Sequence, residues 1–222
     1  MADTQALKAW VQELAERDWN MPAIEARIRT LSREGIPRKK RNSNAMSADK
    51  EQIVARVQQR AEEYNVAMKN CAQGTALALM EEFGVGNMDM IKALTPFPGI
   101  GGTGRLCGGI TGSLIVLGLC FGSDDRLDYE ATNETILIAR QFMASFQREL
   151  GHIECADIIE TVTIGYKLNP GESEEAMQAF AREKGFEKCG LPPAMGAGLA
   201  ARYIIDKSVE RDARTSSAAG SP

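Results

Sequence analysis

Histidine is nearly missing from this chain: one residue in 222, at position 152. That leaves neither a Ser-His-Asp nor a Cys-His-Asn partner set to be read from the sequence. Short cysteine pairs are missing too. The five cysteines, Cys71, Cys107, Cys120, Cys155 and Cys189, lack the CxxC spacing of a zinc ribbon or thioredoxin motif, and without Cys-x-x-Cys-His covalent haem is not expected. Long apolar runs are also absent. The longest, Ile110–Phe121, is about twelve residues and contains glycine, whereas a bilayer span needs roughly 20. It reads as a buried core helix, and no membrane is expected. The first nineteen residues carry acids and no uninterrupted apolar stretch, so they do not read as a signal peptide. A cytoplasmic location is expected. Alternating strand patterns are scarce, "TVTIGYKL" at 161–168 being the one candidate.

What is present is ordinary for a globular domain: 44% hydrophobic and 25% charged residues. The length buries a core without disulfides, and a reducing compartment would leave the cysteines unbridged. The net charge of −4 is unevenly spread. Residues 1–50 hold 10 basic and 7 acidic residues, and the remainder 16 and 23. An acidic body excludes a nucleic-acid surface, which requires a basic face. The basic cluster "PRKKRN", 37–42, reads as a solvated loop between helices or a phosphate contact.

Helical periodicity dominates. Leu7, Trp10, Val11 and Leu14 form one stripe, and Ile24, Ile28 and Leu31 another after a start at Pro22. The two make an N-terminal hairpin over 1–46. Residues 38–47 read as a loop. A long helical pattern from about Ala48 to Phe83 breaks near 65–74, and the proline- and glycine-rich stretch 95–104 is a loop. Helices follow at about 105–119, 136–151, 173–184 and 190–207, with one or two turns at 155–162. The expected architecture is all-α: a helical bundle over 47–207 around a central glycine-rich buried helix, with the hairpin extension before it. The tail 208–222 is of low complexity and reads as disordered.

The cysteines fall on this map with a regularity. Cys71, Cys107, Cys155 and Cys189 all sit at or near expected helix starts, where unpaired N–H groups and the positive dipole end favour thiolate. Cys120 ends an apolar run and reads as a small buried hydrophobe. Around Cys107, Gly104, Gly108 and Gly109 keep side chains away, so backbone N–H groups can approach sulfur. Close helix packing explains the same glycines equally well. Arg105 reads as a charge partner for a thiolate or cluster, or for an acid. His152, three residues before Cys155, reads as a proton relay or an ordinary surface residue. Met88, Met90, Met143, Met177 and Met195 read as core fillers.

Four segments, "NCAQGTALALMEEFG", "GGTGRLCGGITGSLIVLGL", "FQRELGHIECADII" and "KCGLPPAMGAGLAARYIID", together resemble the C_GCAxxG_C_C family of redox-active proteins. The first cysteine of that family stands in Asn-Cys-(Ala/Ser)-Gln, matched at Asn70–Gln73. The second opens Cys-Gly-Ala-x-x-Gly, matched at Cys107–Gly112 with Gly109 in place of alanine. The third follows Phe-x-x-x-(Phe/Leu)-Gly, matched by Phe146, Leu150 and Gly151 before Cys155. The fourth, Cys189, opens the last helix. The resemblance covers about Ala61–Asp206 and leaves outside it the hairpin and an insertion around 163–183.

The resemblance implies a cysteine-dependent redox role, in an oxidoreductase or a subunit of one, with an iron–sulfur cluster or an active disulfide as its centre. The first reading is a [2Fe–2S] or [4Fe–4S] cluster held by Cys71, Cys107, Cys155 and Cys189. Separations of 36, 48 and 34 residues suit ligands delivered by different helices. A cofactor-free thiol–disulfide pair and a structural zinc site in a partner-binding scaffold are the alternatives. The expected partner is a redox protein or a small-molecule substrate, and a homo-oligomer stays open.

Overall fold

The computed structural model describes residues 4–40 and 42–218, with the backbone alone for 215–218. Among the described residues every regular element is helical, as the periodicity predicts. The chain opens with α1 (Thr4–Glu16) and α2 (Met21–Glu34). Asn20 sets the start of α2 by accepting from the Ala23 N–H, and Pro22 stands in its first turn. Leu7, Val11 and Leu14 are buried, as their spacing requires. Two carboxylates of the body hold the hairpin. Glu62 accepts from Trp10 Nε1 at 2.9 Å and from Arg17 at 2.7 Å, and Glu81 accepts from Arg27 at 2.6 Å.

Residues 38–47 are not simply a loop. A short helix, α3 (Ser43–Ala48), forms there because Asn42 caps it through the Ala45 N–H. In the basic cluster, Lys39 donates to the Glu82 carbonyl, and its backbone lies against Gly84, where any side chain would overlap it. Arg41 lies outside the described residues.

The long pattern splits into α4 (Lys50–Met68) and α5 (Cys71–Phe83). Lys69 supplies the break with a left-handed backbone (φ 52°), and Asn70 restarts the helix by accepting from the Gln73 N–H. After α6 (Met88–Ala93) comes the stretch 95–104. Its one turn, α7 (Gly99–Gly102), is helical in name only, because Ile100 and Gly101 lie outside helical geometry. The glycine-rich α8 (Gly108–Phe121) follows and is buried along most of its length. It packs between α5 and the last helix, α13 (Leu191–Ala218). A side chain at Gly112 would overlap the Ala72 carbonyl, and one at Gly109 would come within 2.5 Å of the Pro192 carbonyl. Glycine thus lets two helices approach α8 backbone to backbone. Full burial of each Leu or Ile at such a seam contributes about 1.5–3 kcal/mol.

The outer layer is α9 (Tyr129–Leu150), α10 (Cys155–Ile158) with a continuing π-helical turn (Ile159–Thr163), α11 (Glu174–Arg182) and α12 (Gly185–Lys188). The strand candidate at 161–168 is therefore corrected. Its first residues complete the π turn, and Gly165 (φ 94°) ends any regular path. The tail also differs from expectation. Helix α13 continues without a break through Ala218, and residues 219–222 lie outside the described residues. Among the described residues no helix is long and apolar enough to cross a membrane.

Candidate redox centre

Backbone pairing brings the second and third cysteines together. The Cys107 N–H donates to the Ile153 carbonyl at 2.9 Å, and the Cys155 N–H donates to the Arg105 carbonyl at 2.8 Å. Leu106 and Glu154 form an isolated antiparallel bridge between them. Two segments 48 residues apart are thus fastened as a two-rung ladder, with one cysteine at each edge. Gly104 extends it by accepting from the Ala156 N–H at 2.9 Å. Its φ of +78° and the Ala156 side chain, 3.1 Å from where a methyl group would stand, leave room for glycine alone.

The first cysteine joins through α8. Cys71 is the first residue of α5, and the backbone N–H groups of Gly108, of Ala72 and of Cys71 itself favour its thiolate. Any side chain on Gly108 would overlap the Cys71 sulfur. Cys107 stands at the N-cap of α8 without a side-chain cap hydrogen bond, and the nearby Gly109 N–H favours its thiolate. The fourth cysteine lies just before the last helix, as expected, and also ends a short helix that the sequence reading did not separate. Cys189 closes α12, its N–H donating to the Gly185 carbonyl, and lies two residues before α13 begins. Its thiol donates to Thr163 Oγ1 at 3.7 Å.

The four sulfurs share one electrostatic environment. Burial pushes all four thiols above their ordinary values, Cys71 to about 11 and Cys189 to about 12, and Cys107 and Cys155 upward as well. Neighbouring thiols add to it: Cys71, Cys155 and Cys189 each raise Cys107. This corrects the expectation that helix starts would make thiolates. The N–H donors are present, on Gly108 and Gly109, but desolvation outweighs them.

Cys71, Cys155 and Cys189 line a cavity of about 150 Å³, while Cys107, 4% exposed, is packed away from it. The lining is otherwise largely apolar. Phe180 and Phe186 meet edge to face at 5.2 Å, and Ile159, Pro98, Pro170 and Met177 add to the wall. Lys69 is the one charged side chain among the lining residues, with Nζ 5.3 Å from the Phe186 ring centre. Three of the four cysteines border this space. Among the described residues no three Cys, His, Asp or Glu side chains form a group that could hold a single metal ion.

Gly104 is part of the lining, but Arg105 is not. The Arg105 side chain is exposed, and its part in the site is the backbone carbonyl that receives Cys155. His152 faces Asp157 at 3.9 Å and does not line the cavity. Cys120 is buried in the apolar core. Met195 is buried, whereas Met177 is 40% exposed at the cavity wall. Sequence reasoning passed over Lys69, Thr163, Phe180 and Phe186. Only the left-handed break at Lys69 and the πhelical turn at Thr163 mark them locally, and neither is visible in a periodicity.

These four cysteines and their surroundings coincide with a known pattern. Residues 69–200 match the family described as "Putative redox-active protein (C_GCAxxG_C_C)", and the chain belongs to that family. The matched segment takes in all four cysteines of the candidate centre and leaves α1 to α4 outside, apart from the helix break at Lys69. No curated protein and no solved structure matches the chain.

Proposed function

We propose that this redox protein holds an iron–sulfur cluster through Cys71, Cys107, Cys155 and Cys189. The observation that carries the reading is the convergence of four thiols from four separate segments: Cys71, Cys155 and Cys189 line one largely apolar space, and Cys107, packed outside it, feels the charge of all three. Four cysteines are the usual ligand set of [2Fe–2S] and [4Fe–4S] centres. Without a compensating cation, four thiolates here would face both desolvation and mutual repulsion, which is why each is held protonated. Bound iron supplies the missing positive charge and one-electron chemistry.

The chain's own residues have definable tasks. The N–H groups of Gly108 and Gly109 favour negative charge on Cys71 and Cys107, and polar groups beside cluster sulfurs are a main determinant of potential. Thr163 orients Cys189. Phe180, Phe186 and Ile159 exclude water. A lone zinc ion is less well supported, because closed zinc sites draw four ligands to about 2.3 Å from one point. Thiol–disulfide exchange is also less well supported, because an attacking thiol works best with a pKa near ambient pH.

Iron and acid-labile sulfide content, with the visible spectrum of anaerobically purified protein, test the reading. The expected result is a chromophore that Cys107→Ala loses and Cys120→Ala retains. Colourless, iron-free protein that still carries out redox turnover sinks it.

A further inference from the structure

Of the two stretches that the sequence leaves outside the four-cysteine pattern, the insertion around 163–183 lies at the cavity, and the N-terminal hairpin, which contributes no lining residue, packs through α1 against the elements that flank the insertion. The insertion forms one wall: Asn169, Pro170, Gly171, Met177 and Phe180 all line it. Its tip is pressed onto the opposite wall. A side chain on Gly171 would overlap the Gly102 carbonyl and come within 2.9 Å of the Gly102 Cα.

Its attachment is slight. In α11 the only buried side chain is Phe180, which rests on Phe186 and fills the space beside Gly185. Both roots have backbone suited to swinging. Gly165 has φ +94° with open space around it, and Lys184 is left-handed at φ +53°. An element with one buried anchor opens at a lower free energy than the core beneath it.

Helix α1 holds both roots. It packs against the π-helical turn at the first root and against α12 at the second. Lys184 Nζ donates to the Ala15 carbonyl at 2.8 Å, in the last turn of α1, where the helix dipole favours a cation. The buried Leu14 lies 3.5 Å from the site a Gly190 methyl would take, next to Cys189.

We infer that α1 and residues 164–184 form one cover that restricts the cysteine cavity to small, uncharged molecules, with Phe180 as its anchor and Lys184 as its latch. The small volume and apolar wall set the size and polarity limits, and the exposed Lys69 at the rim is the only charge met on entry. The inference rests on the cysteine cavity as the redox site but not on which cofactor fills it.

The test is per-cysteine labelling of the full-length, reduced, iron-free chain, read by mass spectrometry. Iodoacetamide is compared with a maleimide bearing a polyethylene-glycol chain. In the parent protein Cys71, Cys155 and Cys189 should accept iodoacetamide and resist the bulky reagent. Phe180→Ala and Lys184→Met should each raise bulky labelling at those three by about tenfold, as expected when an anchor or charged hydrogen bond is lost. Cys107 and Cys120 should not change. Hydrogen exchange on the protein as purified should be faster over 166–182 than in α5 and α8. Equal labelling by both reagents in the parent overturns the inference, and so do unchanged rates in both variants. Acceleration at all five cysteines together also overturns it, since that marks general loosening. Loss of the cluster reading would appear separately, as absent iron in the parent protein.

Discussion

Gly108 and Cys71 meet across the α5–α8 seam: a methyl group in place of the glycine hydrogen would overlap the cysteine sulfur. The same methyl would stand 2.7 Å from the Ala72 nitrogen, so moving the thiol aside does not relieve the clash. Gly108→Ala should therefore destabilise the fold by about 1–3 kcal/mol and displace Cys71. Denaturant melts and iron content together read both effects. Gly118→Ala, on the same helix with open space at its Cβ position, is the contrast. It should be neutral or stabilise by up to about 1 kcal/mol and leave the site intact. Equal losses in the two variants would refute the assignment.

Alkaline pH should weaken the metal-free protein. The folded state holds its thiols protonated beyond their ordinary values, Cys71 to about 11 and Cys189 to about 12. The unfolded chain releases those protons from about pH 8.5 upward. Over that window the folded state binds more protons, so stability falls as pH rises. Urea midpoints between pH 7 and 10 measure this. A Cys107→Ala, Cys155→Ala double variant should show a shallower decline, and an equally steep one would refute the cause.

The hairpin latch has its own pH signature. Burial raises the pKa of Glu62, while Arg17 and Trp10 oppose the shift by hydrogen bonding to it. Arg17→Met leaves that carboxylate buried with only the Trp10 bond and should cost about 1–3 kcal/mol at neutral pH. Because the Glu62 pKa is raised, protonation removes the buried charge, so the deficit should shrink as pH falls through it. A deficit that grows on acidification would contradict this.

Thr163 reaches Cys189 through its hydroxyl alone. Thr163→Val keeps the shape and removes the hydroxyl, which would donate to Cys189 once its thiol is deprotonated on the proposed cluster, so the potential of that cluster should shift while thermal stability changes by no more than about 1 kcal/mol. Thr163→Ser should restore the potential. Redox titration followed by absorbance checks it, and identical potentials in all three proteins would remove Thr163 from the site.

The helical class and the four cysteines were legible because each leaves a local mark: 3.6-residue stripes such as Leu7, Val11 and Leu14, a neighbouring glycine or capping asparagine at Cys71, Cys107 and Cys189, and the Gly151 helix stop four residues before Cys155. The break between α4 and α5 was only bracketed, since Lys69 adopts a left-handed conformation that nothing in its side chain announces. Thiol acidity was misread for a physical reason. A helix start is a local feature, but desolvation is set by Phe180, Phe186 and Ile159, which arrive from elsewhere in the chain. The short α3 was missed because Asn42, its cap, lies in a polar stretch where asparagine serves loops equally well. The strand candidate at 161–168 failed because β-branched residues describe half-buried surfaces of several kinds.

The four sulfur-bearing segments lie at Cys71, Cys107, Cys155 and Cys189, each 34 or more residues from the next. No fragment of the chain carries two of them in a short loop. During synthesis the last donor emerges only after the core partners α4, α5 and α8 have been made, and the ladder between Leu106 and Glu154 must close before Cys107 and Cys155 meet. Coordination of the proposed cluster through all four would therefore be a certificate of completed folding: a chain truncated or misassembled anywhere between 71 and 189 lacks the full ligand set.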